Sequence, residues 1–223
     1  MNDGIIIIDK PAGMTSFGVV ARIRRVLSEK SLLGGGKKVK VGHTGTLDPF
    51  ATGLMILVIG SECKNAGMYS KLDKIYDATI RLGQTSSTGD PEGEITDVSD
   101  RQPSKTEIEK VFQGFTGEIS QRPPIYSAIK INGQRAYDLA RKGKQVDMPL
   151  RQVTIYSLDL ISYAYPEIKI RVHVSSGTYI RSLATDIGES LGVGAYCSQL
   201  RRIEIGKWHI NQAQKLADFG IND

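Results

Sequence analysis

The densest grouping of unusual residues in the chain is Gly42-His43-Thr44-Gly45-Thr46-Leu47-Asp48-Pro49-Phe50-Ala51-Thr52-Gly53. Three glycines and one proline in twelve residues specify a rigid, irregular loop. Asp48 is its only carboxylate. Loops held by a strand scaffold commonly display reactive side chains. The chemistry available to Asp48 is that of an ionised acid, as a nucleophile or as a stabiliser of developing charge. Asp-Pro is also a common turn initiator and helix cap, so spacing alone leaves both readings open.

Other chemical patterns are weaker. Gly34-Gly35-Gly36-Lys37-Lys38 lacks the four-residue gap and Lys-Ser/Thr of a phosphate loop and reads as a flexible basic loop. No dinucleotide fingerprint follows any strand. Cys63 and Cys197 are far apart in no ligand-like spacing, which points to ordinary thiols and no metal site. His173 and His209 stand in no motif and read as structural.

The elements that must position the loop are readable from periodicity. Residues 4–9 form a β-branched run, a buried strand. Thr15 or Ser16 caps a helix with Val19, Val20, Ile23, Val26 and Leu27 on one face. Residues 55–59 read as a buried strand and 75–82 as a half-exposed one. Ser104-Lys105-Thr106-Glu107 is a capping box opening a helix through Phe112. A short helix is expected over 135–141 and strands over 152–160 and 167–174. The second alternates cleanly, with Ile168, Ile170, Val172 and Val174 on one face. Ser175-Ser176-Gly177-Thr178 is a turn and cap before a helix carrying Ile180, Leu183, Ala184, Ile187 and Leu191. The mixture implies an α+β fold on a largely antiparallel or mixed sheet.

The 223 residues, 40% hydrophobic and 24% charged, suit a globular protein with a substantial core. No apolar run approaches the roughly 18–20 residues of a membrane span. The N-terminus lacks the pattern of a signal peptide, and a cytoplasmic protein is expected. The net charge of +5 is unevenly spread. Residues 22–40 carry seven bases (Arg22, Arg24, Arg25, Lys30, Lys37, Lys38, Lys40) against Glu29, and 122–151 carry seven against two acids. Residues 86–109 hold seven acids and two bases. Such a dipolar surface can orient a protein on a phosphate backbone, although solvated helix and loop faces give the same pattern.

The Asp48 loop resembles the defining motif of the bacterial tRNA pseudouridine-55 synthase family, the TruB family. Further motifs occur in the family's order. They are Asp9-Lys10-Pro11-Ala12-Gly13-Met14-Thr15-Ser16; Lys74-Ile75-Tyr76; Gln121-Arg122-Pro123-Pro124-Ile125-Tyr126-Ser127-Ala128-Ile129-Lys130 with Gly133, Tyr137 and Ala140-Arg141; Ser175-Ser176-Gly177-Thr178-Tyr179-Ile180-Arg181-Ser182-Leu183-Ala184; and Leu200-Arg201-Arg202. The resemblance runs over about residues 4–219.

It implies the pseudouridine synthase fold: a central mixed, mainly antiparallel sheet flanked by helices, with an active-site cleft across it. It implies a cofactor-free, metal-free isomerase that flips uridine 55 of the tRNA T loop and rejoins its base through carbon. Asp48 is the implied essential aspartate, acting on the base or at C1′ through a glycal-type route. Arg181 is its implied arginine partner, able to lower the carboxylate pKa and fix its orientation. Tyr76 is the implied aromatic face for the extruded base, with its phenol a candidate for assisting proton removal at C5. Tyr179 is placed in the same pocket, and His43 fills the space left by the flipped nucleotide. Leu200 is implied near the pocket and Lys130 in support of it, while Arg201 and Arg202 are implied phosphate contacts. The basic stretch 122–151, including Arg141, matches the family insertion that clamps the T stem-loop.

The chain departs from the family in places. It stops at Asp223, where most relatives continue into a small C-terminal RNA-binding (PUA-like) domain, so a single catalytic domain over 1–223 with fewer phosphate contacts is expected. Residues 31–38 look like an insertion that adds basic contacts. Ser87 stands where an acid is usual, and Val174 where a cysteine is common. The partner expected is tRNA, with no membrane and no obligate protein partner. A guide-RNA-dependent catalytic subunit and a tRNA-folding chaperone are the alternatives.

Overall fold

The computed structural model describes residues 3–127, 129–131, 133–141 and 147–221. Residues 1–76 and 201–223 make one compact unit, and residues 77–200 a second. The first opens with β1 (Gly4–Lys10), whose four consecutive isoleucines favour an extended backbone. Helix α1 (Ser16–Leu33) follows, capped by Thr15, whose hydroxyl accepts from the Gly18 amide at 3.0 Å. Val19, Val20 and Ile23 are buried along it. The helix runs through residues 31–33, the first part of the segment that looks like an insertion. The glycines end it, and the Gly36 amide turns back to the Ser31 carbonyl at 2.8 Å. Next come β2 (Val41–His43), β3 (Thr52–Ile59), a 3₁₀ turn (Gly60–Asn65), α2 (Ala66–Ser70) and β4 (Lys74–Leu82), which passes into the second unit after Tyr76.

The second unit continues with β5 (Gln84–Ser86) and β6 (Ile95–Asp97), which pair as a ribbon. Helix α3 (Lys105–Phe115) carries the expected capping box between Ser104 and Glu107. Then follow β7 (Gly117–Gln121), β8 (Lys130–Ile131), β9 (Gln134–Arg135), α4 (Ala136–Arg141), β10 (Arg151–Ala164), β11 (Glu167–Val174) and α5 (Ile180–Ser190). Strand β12 (Ala195–Ile205) re-enters the first unit at Arg201, and β13 (Trp208–His209) pairs with its end.

In the first unit β3 is central. Strand β1 lies antiparallel along one edge, from Gly4 opposite Ile59 to Lys10 opposite Gly53. The other edge is shared by β2, antiparallel opposite residues 57–59, and β12, parallel at Thr52 and Gly53. Leu54, Ile56 and Ile205 are buried there under Ile5, Ile7, Leu72 and Trp208. Gly53 has φ +106°, and a Cβ there would sit 2.3 Å from the Arg202 carbonyl oxygen, so only glycine admits β12 this closely. In the second unit the order is β4-β11-β10-β7, with β10 antiparallel to both neighbours. The fold is the expected α+β class, on a mixed, mainly antiparallel sheet.

Ile168, Ile170, Val172 and Val174 of β11 are all exposed by 1% or less, as their alternation requires. Ile180, Leu183, Ala184 and Ile187 form the buried stripe of α5. Tyr179, rather than Thr178, is the residue before that helix, and Thr178 donates its hydroxyl to the Ser175 carbonyl. Strand β4 is more buried than its alternation suggests, because Ala78, Thr79 and Ile80 are buried in succession. Thr79 is accommodated by polar partners, with its hydroxyl 3.4 Å from the Gln199 carboxamide and its carbonyl accepting from Ser198.

Candidate functional site

In the first unit the loop that carries Asp48 is held by buried polar groups rather than by regular pairing. The Ser16 hydroxyl donates to the Leu47 carbonyl at 2.8 Å and accepts from the Leu47 amide at 2.7 Å. Lys10 is fully buried, and its ammonium donates to the carbonyls of Pro11, Met14 and Pro49. The Gly13 amide reaches the same Pro49 carbonyl at 2.8 Å. Arg202, 1% exposed, donates from Nε to the Leu54 carbonyl at 2.7 Å and from its terminal nitrogens to Thr46 and Gly45. The Ala51 amide closes a turn on the Asp48 carbonyl. Leu47 and Ala51 are buried while Asp48 is half-buried, so the backbone is anchored on both sides of the carboxylate. Two buried cations on carbonyl oxygens substitute for the amides that a regular strand would supply.

This geometry corrects one expectation. Arg202 is no phosphate contact, because its guanidinium is buried and committed to carbonyls of β3 and of the loop. Arg201 remains 40% exposed, but both terminal nitrogens engage Asp9, at 3.1 and 2.7 Å. That fork ties β12 to β1. His43 is half-buried at the end of β2. Burial, and then the nearby Arg202 charge, pushes its pKa below 6.5, so the imidazole is neutral at pH 7. Its Nδ1 is buried with no hydrogen-bond partner among the described residues. Tyr76 is buried on β4. Lys74, two residues before it, donates to the Ser70 and Leu72 carbonyls. Burial first, then Arg202, lowers its pKa to about 8.

The second unit holds Arg181, Tyr179 and Leu200. Arg181 is 4% exposed on the first turn of α5. Its Nη1 donates to the Asp90 carboxylate at 3.0 Å and the Thr88 carbonyl at 2.9 Å, and its Nη2 to the Tyr126 carbonyl at 2.8 Å. Asp90 is itself fixed, accepting from the Thr88 hydroxyl at 2.6 Å and the Glu92 amide at 3.0 Å. Tyr179 is held through its backbone. Its amide donates to the Gln121 carboxamide oxygen at 2.8 Å, and its carbonyl accepts from the Gln121 nitrogen at 3.1 Å. Ser182 donates to the Arg122 carbonyl, so residues 121–126 are stitched to the start of α5 at three points. Leu200 is buried midway along β12.

Sequence reasoning missed Asp90 and Thr88, and it named Gln121 as a motif residue without a role. The available signal was an acid in a Gly-Asp-Pro turn, but its arginine lies 91 residues away. The side chains of Lys130 and Arg141 lie outside the described residues. A cavity of about 490 Å³ opens in this unit, with Thr88, Tyr126, Arg181, Ser182, Asp186 and Glu189 in its wall. Burial, then Glu189, raises the Asp186 pKa to about 6. Cys63 and Cys197 are not joined in a disulfide. Among the described residues no three His, Cys, Asp or Glu side chains converge as metal ligands, and no helix is long and apolar enough to cross a membrane.

Comparison with known proteins bears on both units. Residues 30–180 match the TruB family pseudouridylate synthase N-terminal domain, and residues 181–220 the tRNA pseudouridylate synthase B C-terminal domain. The chain is 42% identical over 226 residues to tRNA pseudouridine synthase B of Corynebacterium efficiens, covering 99% of this chain and 73% of that one. It is 43% identical to the protein of the same name from Cupriavidus taiwanensis, covering 99% and 68%. Among solved structures, it aligns with a chain of a Cbf5-Nop10-Gar1 complex at TM-score 0.71 and 30% identity, covering 96% of this chain and 53% of that one. A chain of an H/ACA RNP bound to a substrate RNA containing 2′-deoxyuridine gives 0.70 and 28%, with 51% of that chain covered. This chain thus spans about half the length of those two solved chains. The matched domains and the identity over nearly the whole length lead to one conclusion: the chain belongs to the TruB family of pseudouridylate synthases.

Proposed function

We propose that this chain isomerises uridine 55 in the T loop of tRNA to pseudouridine, with Asp48 as the essential carboxylate and no cofactor. The observation that carries the reading is the anchoring of the Asp48 loop by Lys10, Ser16 and Arg202, in a chain more than 40% identical to proteins named for this activity. In the reaction the C1′–N1 bond breaks, the uracil turns, C1′ joins C5, N1 gains a proton and the C5 proton leaves. Atoms are rearranged without oxidation, so the chemistry asks for charge placement and positioning rather than an electron carrier.

Asp48 acts on the base or at C1′, and a backbone anchored on both sides limits the geometries it must search. Arg181, oriented by Asp90 and Thr88, is the proposed cation for that carboxylate. Tyr76 is the proposed stacking face for the extruded uracil, worth about 1–3 kcal/mol. Neutral His43 acts as filler for the vacated position rather than as a base. Tyr179 and Leu200 complete the pocket, and residues 122–151 clamp the T stem-loop through Lys130 and Arg141. The enzyme acts in the cytoplasm without an obligate protein partner.

Tritium release from a tRNA transcript labelled at uridine C5 tests this. One equivalent released by wild type, none by Asp48→Asn and none when the T-loop uridine is replaced is the expected result. A folded, tRNA-binding protein that releases nothing overturns the proposal. The solved complexes favour a second reading, catalysis dependent on a guide RNA. Turnover on a bare T-arm stem-loop excludes it.

A further inference from the structure

We infer that the exposed face of α1 and the residues returning alongside it form a second phosphate-binding ridge, which holds the tRNA backbone outside the T stem-loop. The inference rests on the tRNA reading above. Arg22, Arg24, Arg25, Lys30, Lys37, Lys38 and Lys40 are all exposed. Their one acidic neighbour in sequence, Glu29, is taken by Arg25 at 2.9 Å. The other six cations make no ion pair among the described residues, whereas Arg101, Arg122, Arg171, Arg181 and Arg201 each face a carboxylate. Six like charges held close together repel one another, and a polyanion relieves that repulsion.

The placement of the ridge identifies the polyanion. The first turn of α1 is fastened to the catalytic loop, since Ser16 both donates to and accepts from Leu47, next to Asp48. From that point the 18-residue helix leads away for about 27 Å. The glycines then reverse the chain, and the Val39 amide donates to the Ser28 hydroxyl at 3.1 Å. Lys37, Lys38 and Lys40 are thereby folded back toward the helix instead of trailing from its end. The cations therefore extend outward from the residue that must meet the target nucleotide, where the rest of the same RNA molecule passes. None of them is needed for the anchoring of the Asp48 loop.

The experiment compares wild type with the combined variant Arg24→Gln, Lys30→Gln, Lys37→Gln, Lys38→Gln. Binding of whole tRNA and of the isolated T stem-loop is measured between low and moderate salt, together with turnover on both. Each phosphate contact contributes about 0.7–0.9 to the slope of log affinity against log salt. The variant is expected to lose about 3–3.5 from that slope, and roughly tenfold or more in low-salt affinity, on whole tRNA. On the stem-loop its slope and its turnover at saturation stay as in wild type. Equal slopes for wild type and variant on whole tRNA overturn the ridge. So does an equal loss on both RNAs, and so does an equal loss from a control set, Lys64→Gln, Lys71→Gln, Lys110→Gln, Lys169→Gln, which carries the same charge change elsewhere. Failure of the tRNA reading has a separate mark, the absence of turnover by wild type on either RNA.

Discussion

The Nε of Arg202 lies 2.7 Å from the carbonyl oxygen of Leu54, under the loop that presents Asp48. With two further carbonyls on its terminal nitrogens, this buried guanidinium brackets β12 to both β3 and the loop. Replacing it by methionine leaves those acceptors unsatisfied, a loss of about 3 kcal/mol. For a chain of this length that lowers Tm by roughly 6–12 °C. Arg202→Lys keeps the charge but lacks the planar fork, so it recovers only part of the loss. In both variants kcat falls more than KM rises, because the loop rather than the RNA surface is disturbed. Thermal melts and steady-state kinetics check this, and an Arg202→Lys protein that melts and turns over as wild type would show that charge alone suffices.

Arg181 depends on Asp90 in a comparable way. Both side chains are 4% exposed, so Asp90→Asn removes a buried charge that faces Arg181, at a cost of about 2–3 kcal/mol. Thr88→Val removes only the hydroxyl that steadies Asp90, and should cost about 1 kcal/mol. Thr88→Ser restores the donor. Urea denaturation ranks the three, and the expected order of stability is Thr88→Ser, Thr88→Val, Asp90→Asn. Equal stability of Asp90→Asn and wild type would remove Asp90 from the account of Arg181.

Asp186 gives a pH-dependent prediction. Its pKa rises from 3.8 to about 6 on folding, so between those values the native state binds more protons than the unfolded chain. Stability contributed by the protonated form is present below about pH 4 and lost as pH rises through 6. Asp186→Asn should flatten that fall and stabilise the protein at pH 7 by about 1 kcal/mol, a figure reduced for the water the side chain retains. Melting curves from pH 4 to 8 provide the check, and a parallel fall in wild type and variant would assign the dependence to another group.

What was legible in the sequence was local. The isoleucines of β1, the Thr15 cap, the capping box of α3, the alternation of β11 and the stripe of α5 each carry their pattern within a few residues. Strand β12 was missed because Ser198, Gln199, Arg201 and Arg202 interrupt its apolar pattern, and their partners come from distant strands and loops. Arg202 was misread for the same reason: an arginine beside a motif looks exposed until the carbonyls that bury it are seen. Asp48 was singled out by loop composition, but its significance came from family resemblance, since Asp-Pro turns are common. Of the supports, Lys10 was visible only as a motif residue, and Ser16 as a motif residue and a candidate helix cap. Their purpose depends on Pro49 and Leu47, 39 and 31 positions away.

The two ends of the segment between Arg122 and Asp147 are fastened to each other, and its start is fastened again where the Tyr126 carbonyl meets Arg181. Strands β7 and β10 pair from Gln121 opposite Arg151 to Gly117 opposite Ile155, and Arg122 reaches Asp147 at 3.0 Å and the Met148 carbonyl at 2.6 Å. A peptide whose ends are already held together can be lengthened cheaply, at about 0.6 kcal/mol for each doubling. The stretch beyond Tyr126 is therefore an interchangeable cassette. Its length and charge can be rewritten by exchange between relatives, while the foundation under Arg181 and Tyr179 stays the same.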